Sequence, residues 1–499
     1  MKSWKSKILS VVAVALVIGA VVTSGPVRHL LDMKSPWQES YSRSKGELMA
    51  AYGFPYVFNY FLLHSWGVTG DSIEDKRVHS TINRFHHIRN LTKADYRDGG
   101  SPNNDTLYSV SWVYVDQDPV IISVPKMDIA DRYWAIEIAA WNSDNYAYLG
   151  TRTSGMDGGN YALIPPGWSG ELPQGVSMLA EVPTKWSFLL GRTLVNSEED
   201  VFNVHRIQDG YTITALREWG KDSPQPPYAP PLDESFKHLI DKFEDKSIGF
   251  RGIIEEWIKK SPREYLDVLN KSVGMGGIAS TEKDIFRQFE EVGLVIDDIT
   301  NVREDFLDGR DRGISLGILD VVRALDSSYY SKMVDGWRVL DSSFGRAGIH
   351  QKFLFRSSVQ SLGGIVANDP EEAVYFVLQD DPTRAGIQSP DGEGQYRLHF
   401  EAGMLPEVDA FWSLSAYDKS NNLIDNRYNR YSRGDRNDLV YNDDGSLTIY
   451  IGKEPPQGHV ENNWLPVDDA EFYLIFRTYL PGESILSQAW SPPALISGW

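Results

Sequence analysis

The stretch RDGGSPNNDTLYSVSWVYV, residues 97–115, decides how the chain is read. Turn-forming Gly, Pro, Asn and Asp crowd its first half, and Tyr108, Val110, Trp112 and Tyr114 then alternate with Ser109, Ser111 and Val113. Period-two alternation of β-branched and aromatic residues predicts a strand with two distinct faces. The turn-formers predict a corner leading into it, because Asn and Asp side chains bond their own downstream backbone and tolerate left-handed conformations. The same residues form a candidate ligand site. Asn103, Asn104 and Asp105 offer amides and a carboxylate, and Tyr108 and Trp112 add rings on one strand face, a set that suits hydroxylated molecules with apolar faces and polar edges.

Outward from this corner the period stays at two. VIISVP, YWAIEIAAW, YAYLGTR, NYALIPPGW and SMLAEVP are short β-rich runs separated by Asp-Pro, Asp-Gly-Gly and Pro-Pro-Gly punctuation, which predicts an antiparallel sandwich or barrel over 101–222. EEDVFNVHRIQDGYTIT reads as a short helix leading into a strand. Upstream, residues 36–100 form a lead-in whose run AYGFPYVFNYFLLHSW repeats aromatics at helical spacing; Asn59, His64 and its shortness favour a buried helix over a membrane span. Downstream, SPQPPYAPP (223–231) suits neither helix nor central strand and marks a boundary. Residues 232–335 turn helical in period, and 336–499 return to strands, with Asp444-Gly445 in YNDDGSLTIY placed as a tight hairpin turn would want it. The chain is thus mainly β with a helical middle segment.

Composition sets the surroundings. The 499 residues carry a formal charge of −20, which opposes nucleic acid and anionic lipid surfaces. MKSWKSK followed by about 17 uncharged residues, Ile8 to Ser24, predicts an export signal over residues 1–24, either cleaved or retained as a membrane anchor. The lysines precede the run, so the body is expected in the periplasm or on the outer face of the inner membrane. There is no Cys, which excludes disulfides, a thiol nucleophile and Cys-based zinc.

Several motifs resemble a known pair of bacterial domains. SPNNDTLYS (101–109), NYAYLGTRTSG (145–155) and LGRT (190–193) resemble domain of unknown function 1254, and YRLHF, LPEVDAFWSLSAYD, LIDNRYNRYSRGDR, DGSLTIYI, NWLP and FYLIFRTYLP resemble its companion, domain of unknown function 1214. The resemblance implies an N-terminal β-sandwich, an α-helical insert and a C-terminal jelly-roll-like β-sandwich. It carries over no catalytic residue.

Chemistry-bearing sets remain to be weighed. Asp425, Asn426, Asn429, Arg430, Tyr431, Arg433, Asp435 and Arg436 form the densest polar cluster; an Arg–carboxylate fork there locks a loop, or else Arg430 or Arg436 holds a ligand carboxylate, with Tyr431 as a further contact, while Asp435 acts as acid or base. An enzyme reading, as hydrolase, lyase or isomerase, uses Asp105 or Asp435 as general base and Arg152 or Arg430 as electrophilic clamp. His86-His87 suits one metal ion poorly, since neighbours in an extended segment face opposite ways. Asp380-Asp381 with Asp391, or Asp443-Asp444, offer the hard oxygen ligands in loops that calcium needs, but without EF-hand spacing. No metal or cofactor is therefore expected, and HExxH, GxSxG and P-loop signatures are absent. The leading expectation is an exported, envelope-associated protein binding a small polar or glycan-like molecule between its β-domains, where ligand sites usually form. Exposed sheet edges keep a homo-oligomer or assembly role open.

Overall fold

The structure is a computed structural model describing residues 36–68, 80–97, 100–233, 261–297, 302–326, 329–364, 366–379, 394–458, 460–468 and 471–499. The apolar run 8–24, the Asp380-Asp381-Asp391 set and much of the 232–335 helical reading (234–260) lie outside the described residues.

The alternating stretch is a central strand. The N-terminal β-sandwich comprises β1 (Gly67–Val68), β2 (Ser80–Ile82), β3 (His86–His87), β4 (Thr106–Tyr114), β5 (Val120–Val124), β6 (Trp134–Ala140), β7 (Asn145–Gly150), β8 (Gly159–Ile164), β9 (Val176–Glu181), β10 (Trp186–Leu194) and β11 (Thr212–Ala215). One sheet runs β1-β2-β4-β10-β6-β7, with β3 also on β4, and the other runs β11-β5-β8-β9. Pairing is mostly antiparallel, but β1–β2, β2–β4 and β8–β9 are parallel. Val113, Ile136, Ile138, Leu149 and Leu189 point between the sheets and meet Val120, Ile122 and Leu163.

The opposite face of the larger sheet, carrying Tyr108, Val110, Trp112 and Tyr114, is shared by two neighbours. Helices cover one half: α1 (Pro36–Trp66), α3 (Pro262–Gly276) and α5 (Leu307–Asp326), with α2 (Val201–Asp209) elsewhere on the sandwich and α4 (Lys283–Arg287) short. Phe54, Phe58, Phe61, Leu269 and Ile318 pack there on Val110, Trp112, Trp186 and Phe188. α1 and α5 approach closely because an added Cβ on Gly309, Gly313 or Gly317 would collide with α1 at Ser42, Arg43 or Glu47, and one on Gly46 would collide with Arg310.

The other half is covered by the C-terminal sandwich: β12 (Ser331–Val334), β13 (Trp337–Leu340), β14 (Ala373–Leu378), β15 (Tyr396–Phe400), β16 (Val408–Tyr417), β17 (Ser432–Gly434), β18 (Leu447–Gly452), β19 (Trp464–Pro466), β20 (Tyr473–Pro481) and β21 (Ile496–Ser497). Its sheets run β12-β13-β14-β20-β16-β17 and β19-β18-β15-β21 around Phe376, Leu414, Ile449 and Phe476. Tyr133, Ala135 and Leu194 of the first sandwich meet Ala373, Phe411 and Tyr479 of the second. The tight turn at Asp444-Gly445 closes, Gly445 N donating to Asn442 O and Asn442 N to Ser446 O, each at 2.9 Å, with Gly445 at φ 81°; beyond it β18 pairs with β15 and β19. Past the turn the Asn463 side chain bridges its two arms, accepting from Val440 N at 2.8 Å and donating to Val440 O at 2.7 Å and to Thr448 O of β18 at 3.0 Å. A short helical turn, Phe353–Phe355, continues as a π-helix, Arg356–Gly363, and with Asn368 and Asp369 wedges between helices and sandwiches.

Candidate functional site

The opening stretch both turns the chain and plugs into the second sandwich. The Asn103 side-chain oxygen accepts from Asp105 N and Thr106 N, each at 3.2 Å, and from Thr106 Oγ1 at 3.1 Å, which is the corner. Its amide donates across the interface to Tyr479 Oη at 2.9 Å. Asn104 donates to Thr92 O and stays within its own domain. Asp105 accepts from Ser413 Oγ at 2.7 Å on β16 and Ser432 Oγ at 3.4 Å on β17. Arg477 Nη2 donates to Ser101 O, and Tyr417 Oη to Pro102 O, both at 2.7 Å.

Beyond this plug the facing sheets carry a polar layer where apolar contact would be ordinary. On β6 and β10, buried Glu137 and Arg192 pair at 2.7 Å. Arg192 also donates to Asn368 Oδ1 at 2.9 Å, whose amide donates to Tyr375 Oη at 2.8 Å on β14. Asn145 donates to Glu137 Oε1 and Tyr148 Oη, each at 2.9 Å, and Tyr148 Oη accepts from Asp369 N at 2.9 Å. Glu372 accepts from Tyr133 Oη at 2.8 Å and from Arg152 Nε at 2.9 Å. Burial pushes the carboxyls of Glu137, Glu372 and Asp105 up, opposed by Arg192, by Arg152 and, for Asp105, by Ser413 and Arg477.

Tyr108, Leu190, Asp105 and Tyr375 keep part of their surface accessible although they lie on these facing elements, so the interface is not closed there. The Tyr108 ring receives the Arg192 guanidinium 5.9 Å from its centroid, and its hydroxyl has no hydrogen-bond partner among the described residues. Arg477 is 4% exposed and lies over the rings of Tyr417 (5.4 Å) and Tyr375 (6.0 Å); its Nη1 and the neighbouring Ser415 Oγ make no hydrogen bond of good geometry, though both Arg477 and Ser415 lie beside the Tyr417 hydroxyl. A narrow cleft between Val339–Phe344, Pro370–Tyr375 and Ile485–Gln488 reaches Tyr375 from outside.

The residues singled out from sequence therefore divide. Asn103, Asp105 and Tyr108 lie at the interface, and Arg152 sits at its rim on Glu372. Asp435 adjoins Asp105: its Oδ1 accepts from Trp412 N at 3.2 Å, and desolvation, with repulsion from Asp105, pushes it up to about 6. Arg430 is not there. It donates to Glu461 O at 3.0 Å and Trp464 O at 3.3 Å on the far sheet of the second sandwich, without a carboxylate fork. Tyr431 packs with Ala94, Leu423 and Tyr473, and its hydroxyl donates to Asn429 at 3.2 Å. His87 Nδ1 meets Ser109 Oγ at 2.9 Å, and burial pushes its ring down to about 4. Among the described residues no cluster of three His, Asp or Glu could hold a metal ion. Sequence reasoning passed over Glu137, Arg192, Asn368, Tyr375 and Arg477. The signal was there: YWAIEIAAW, FLLGRTLV and FYLIFRTYLP each hold a lone charge in an otherwise apolar strand, and such a charge stays buried only when paired or hydrogen-bonded.

Two β-sandwiches joined across a polar face, with a helical layer beside the second, define the class of this protein. Residues 82–215 match the family model described as "Protein of unknown function (DUF1254)" and residues 372–483 match DUF1214, so the chain carries both domains in that order. It is similar to the crystal structure of the VPA0106 protein from Vibrio parahaemolyticus, with 25% identity and a TM-score of 0.66, covering 92% of this chain and 100% of that one. An uncharacterized protein from Burkholderia cenocepacia aligns at 11% identity with a TM-score of 0.40, over 92% and 94% of the two chains. No curated protein matches the sequence.

Proposed function

We propose that this is an exported, envelope-associated protein that holds a small polar molecule, hydroxylated and bearing a carboxylate or similar anionic group, between its two β-sandwiches. The observation that carries this reading is Arg477, a buried guanidinium with no carboxylate bonded to it, lying near Asp105 and over Tyr375, both of which keep accessible surface, as does Tyr108 on the facing sheet. A buried cation without a bonded counter-charge is costly, and a ligand anion would complete it. Asp105 does not bond it directly: its oxygens accept from Ser413 and Ser432, and it acts on Arg477 only through space. The tyrosines offer apolar faces and hydroxyl edges to the rest of the molecule. Export is inferred from the basic start and apolar run 8–24. Thermal unfolding against neutral sugars, sugar acids and aliphatic and aromatic carboxylates tests it: at a hundredfold excess over the dissociation constant a ligand adds about 2.7 kcal/mol. The shift is expected with anionic hydroxylated compounds and should vanish in Arg477→Gln and in Tyr108→Leu, the latter removing no hydrogen bond of the fold. No shift across the panel, or one unchanged in both variants, overturns the reading.

Catalysis on the same face is the second reading, favoured by Asp435 being pushed up to about 6 beside Asp105. A hydrolase, lyase or isomerase using it as general base would gain activity as pH rises through 6 and lose that profile in Asp435→Asn.

A further inference from the structure

At the other end of β4 a cleft of about 280 Å³ opens between Tyr114, Asp116, Gln117, Asp118, Arg217 and Tyr228. Tyr114 lies six residues from Tyr108, about 20 Å along the strand at ~3.4 Å per residue, so the cleft is separate from the interface site. One residue ties together the two backbones that carry its aromatic wall. Asn83, 2% exposed and in a left-handed conformation at φ 56°, donates through its side chain to Pro227 O at 3.0 Å and Tyr228 O at 2.9 Å, and accepts from Tyr114 N at 2.9 Å. A non-glycine residue in that conformation costs free energy and persists where the surroundings fix it. The rings of Tyr114 and Tyr228 lie at 72° to one another, centroids 6.1 Å apart, with Trp186 packing on Tyr114 at 5.0 Å. The Pro-Pro-Tyr-Ala-Pro-Pro segment carrying Tyr228 is stiff, so that ring, 61% exposed, is presented with little ordering left to do on binding.

The rest of the lining is polar yet balanced, with Asp116 beside the Tyr114 hydroxyl. Asp116 pairs with Lys185 at 3.1 Å and Asp118 with Arg217 at 3.0 Å, so the cleft has acceptors and donors but no surplus charge to hold an ion. We propose that this cleft is a second ligand site, for one neutral saccharide ring, stacked on Tyr114 and Tyr228 with its hydroxyls on Asp116, Asp118 and Arg217. The volume lies just below the ~300–1,000 Å³ usual for drug-sized ligands, which fits a single ring.

Saturation-transfer NMR with methyl α-glucopyranoside, methyl β-galactopyranoside, N-acetylglucosamine and maltotriose tests this. At least one should bind saturably, with ring protons enhanced. Its dissociation constant should rise at least tenfold in Tyr228→Ala and in Asp118→Asn, and stay within twofold in Tyr108→Leu, which separates this cleft from the interface site. A free ring is the ligand if a monosaccharide binds as well as maltotriose; the end of a glycan chain is the ligand if only maltotriose binds. Failure of all four to bind, loss confined to Tyr108→Leu, or binding of tetramethylammonium in place of the sugars overturns the proposal.

Discussion

The side-chain oxygen of Asn103 closes a turn while its amide, on the same planar group, reaches Tyr479 of the other sandwich. Asn103→Ala removes both, leaving the Thr106 N–H and the Tyr479 hydroxyl short of a partner, so it should cost about 1–3 kcal/mol by urea unfolding. Tyr479→Phe, which strands only the amide, should cost less. A larger loss in Tyr479→Phe would mean that the corner does not depend on Asn103. Asp435 gives a signed pH dependence. Its carboxyl is pushed up to about 6 in the fold against an ordinary value near 4, so the folded state binds the proton more tightly. This contribution to stability is therefore full below pH 4 and falls away as pH rises through 6. Midpoints measured from pH 4 to 7 should fall less steeply in Asp435→Asn than in the parent; parallel curves would show that Asp435 is not shifted.

At the scale of elements, the close crossing of α1 and α5 depends on glycines spaced by four in LDGRDRGISLGILD. Gly→Ala at an exposed helical site stabilises by roughly 1 kcal/mol. Gly313→Ala should do the reverse, losing about 1–3 kcal/mol in urea as the new methyl forces the helices apart from Arg43 and Glu47. A stabilised variant would mean that the crossing is loose. This feature also marks where legibility ends. The alternation in 107–114 was enough to place β4, because period two needs no knowledge of partners. Gly309, Gly313 and Gly317 read in isolation as weaknesses in a helix, and only the presence of α1 against them makes them contacts. Arg430 shows the opposite failure. Its dense polar neighbourhood reads as a site, yet backbone carbonyls of Glu461 and Trp464 take up its guanidinium, and no sequence pattern reports where a loop's carbonyls point.

Across the whole molecule, the chain Glu137–Arg192–Asn368–Tyr375 runs from the central sheet of one sandwich to the facing sheet of the other. Buried polar layers of this kind hold two bodies in one arrangement, because any slip leaves charges unpaired in a medium that cannot solvate them. Arg192→Met strands the Glu137 carboxylate and should cost about 3–5 kcal/mol, whereas the double variant Glu137→Met with Arg192→Met, which removes both charges, should recover most of that loss. The decisive readout lies away from the substitution. If the sandwiches unfold as one unit, amide exchange should accelerate equally in β10, which holds Arg192, and in β15 and β18, which belong to the far sheet of the second sandwich and touch nothing in the first sheet's network. Faster exchange confined to β4, β6 and β10 would instead show two independently stable bodies. In that case a ligand would reach Tyr108 and Arg477 by separation of the sandwiches, and entry to the interface would not need the narrow cleft at Tyr375.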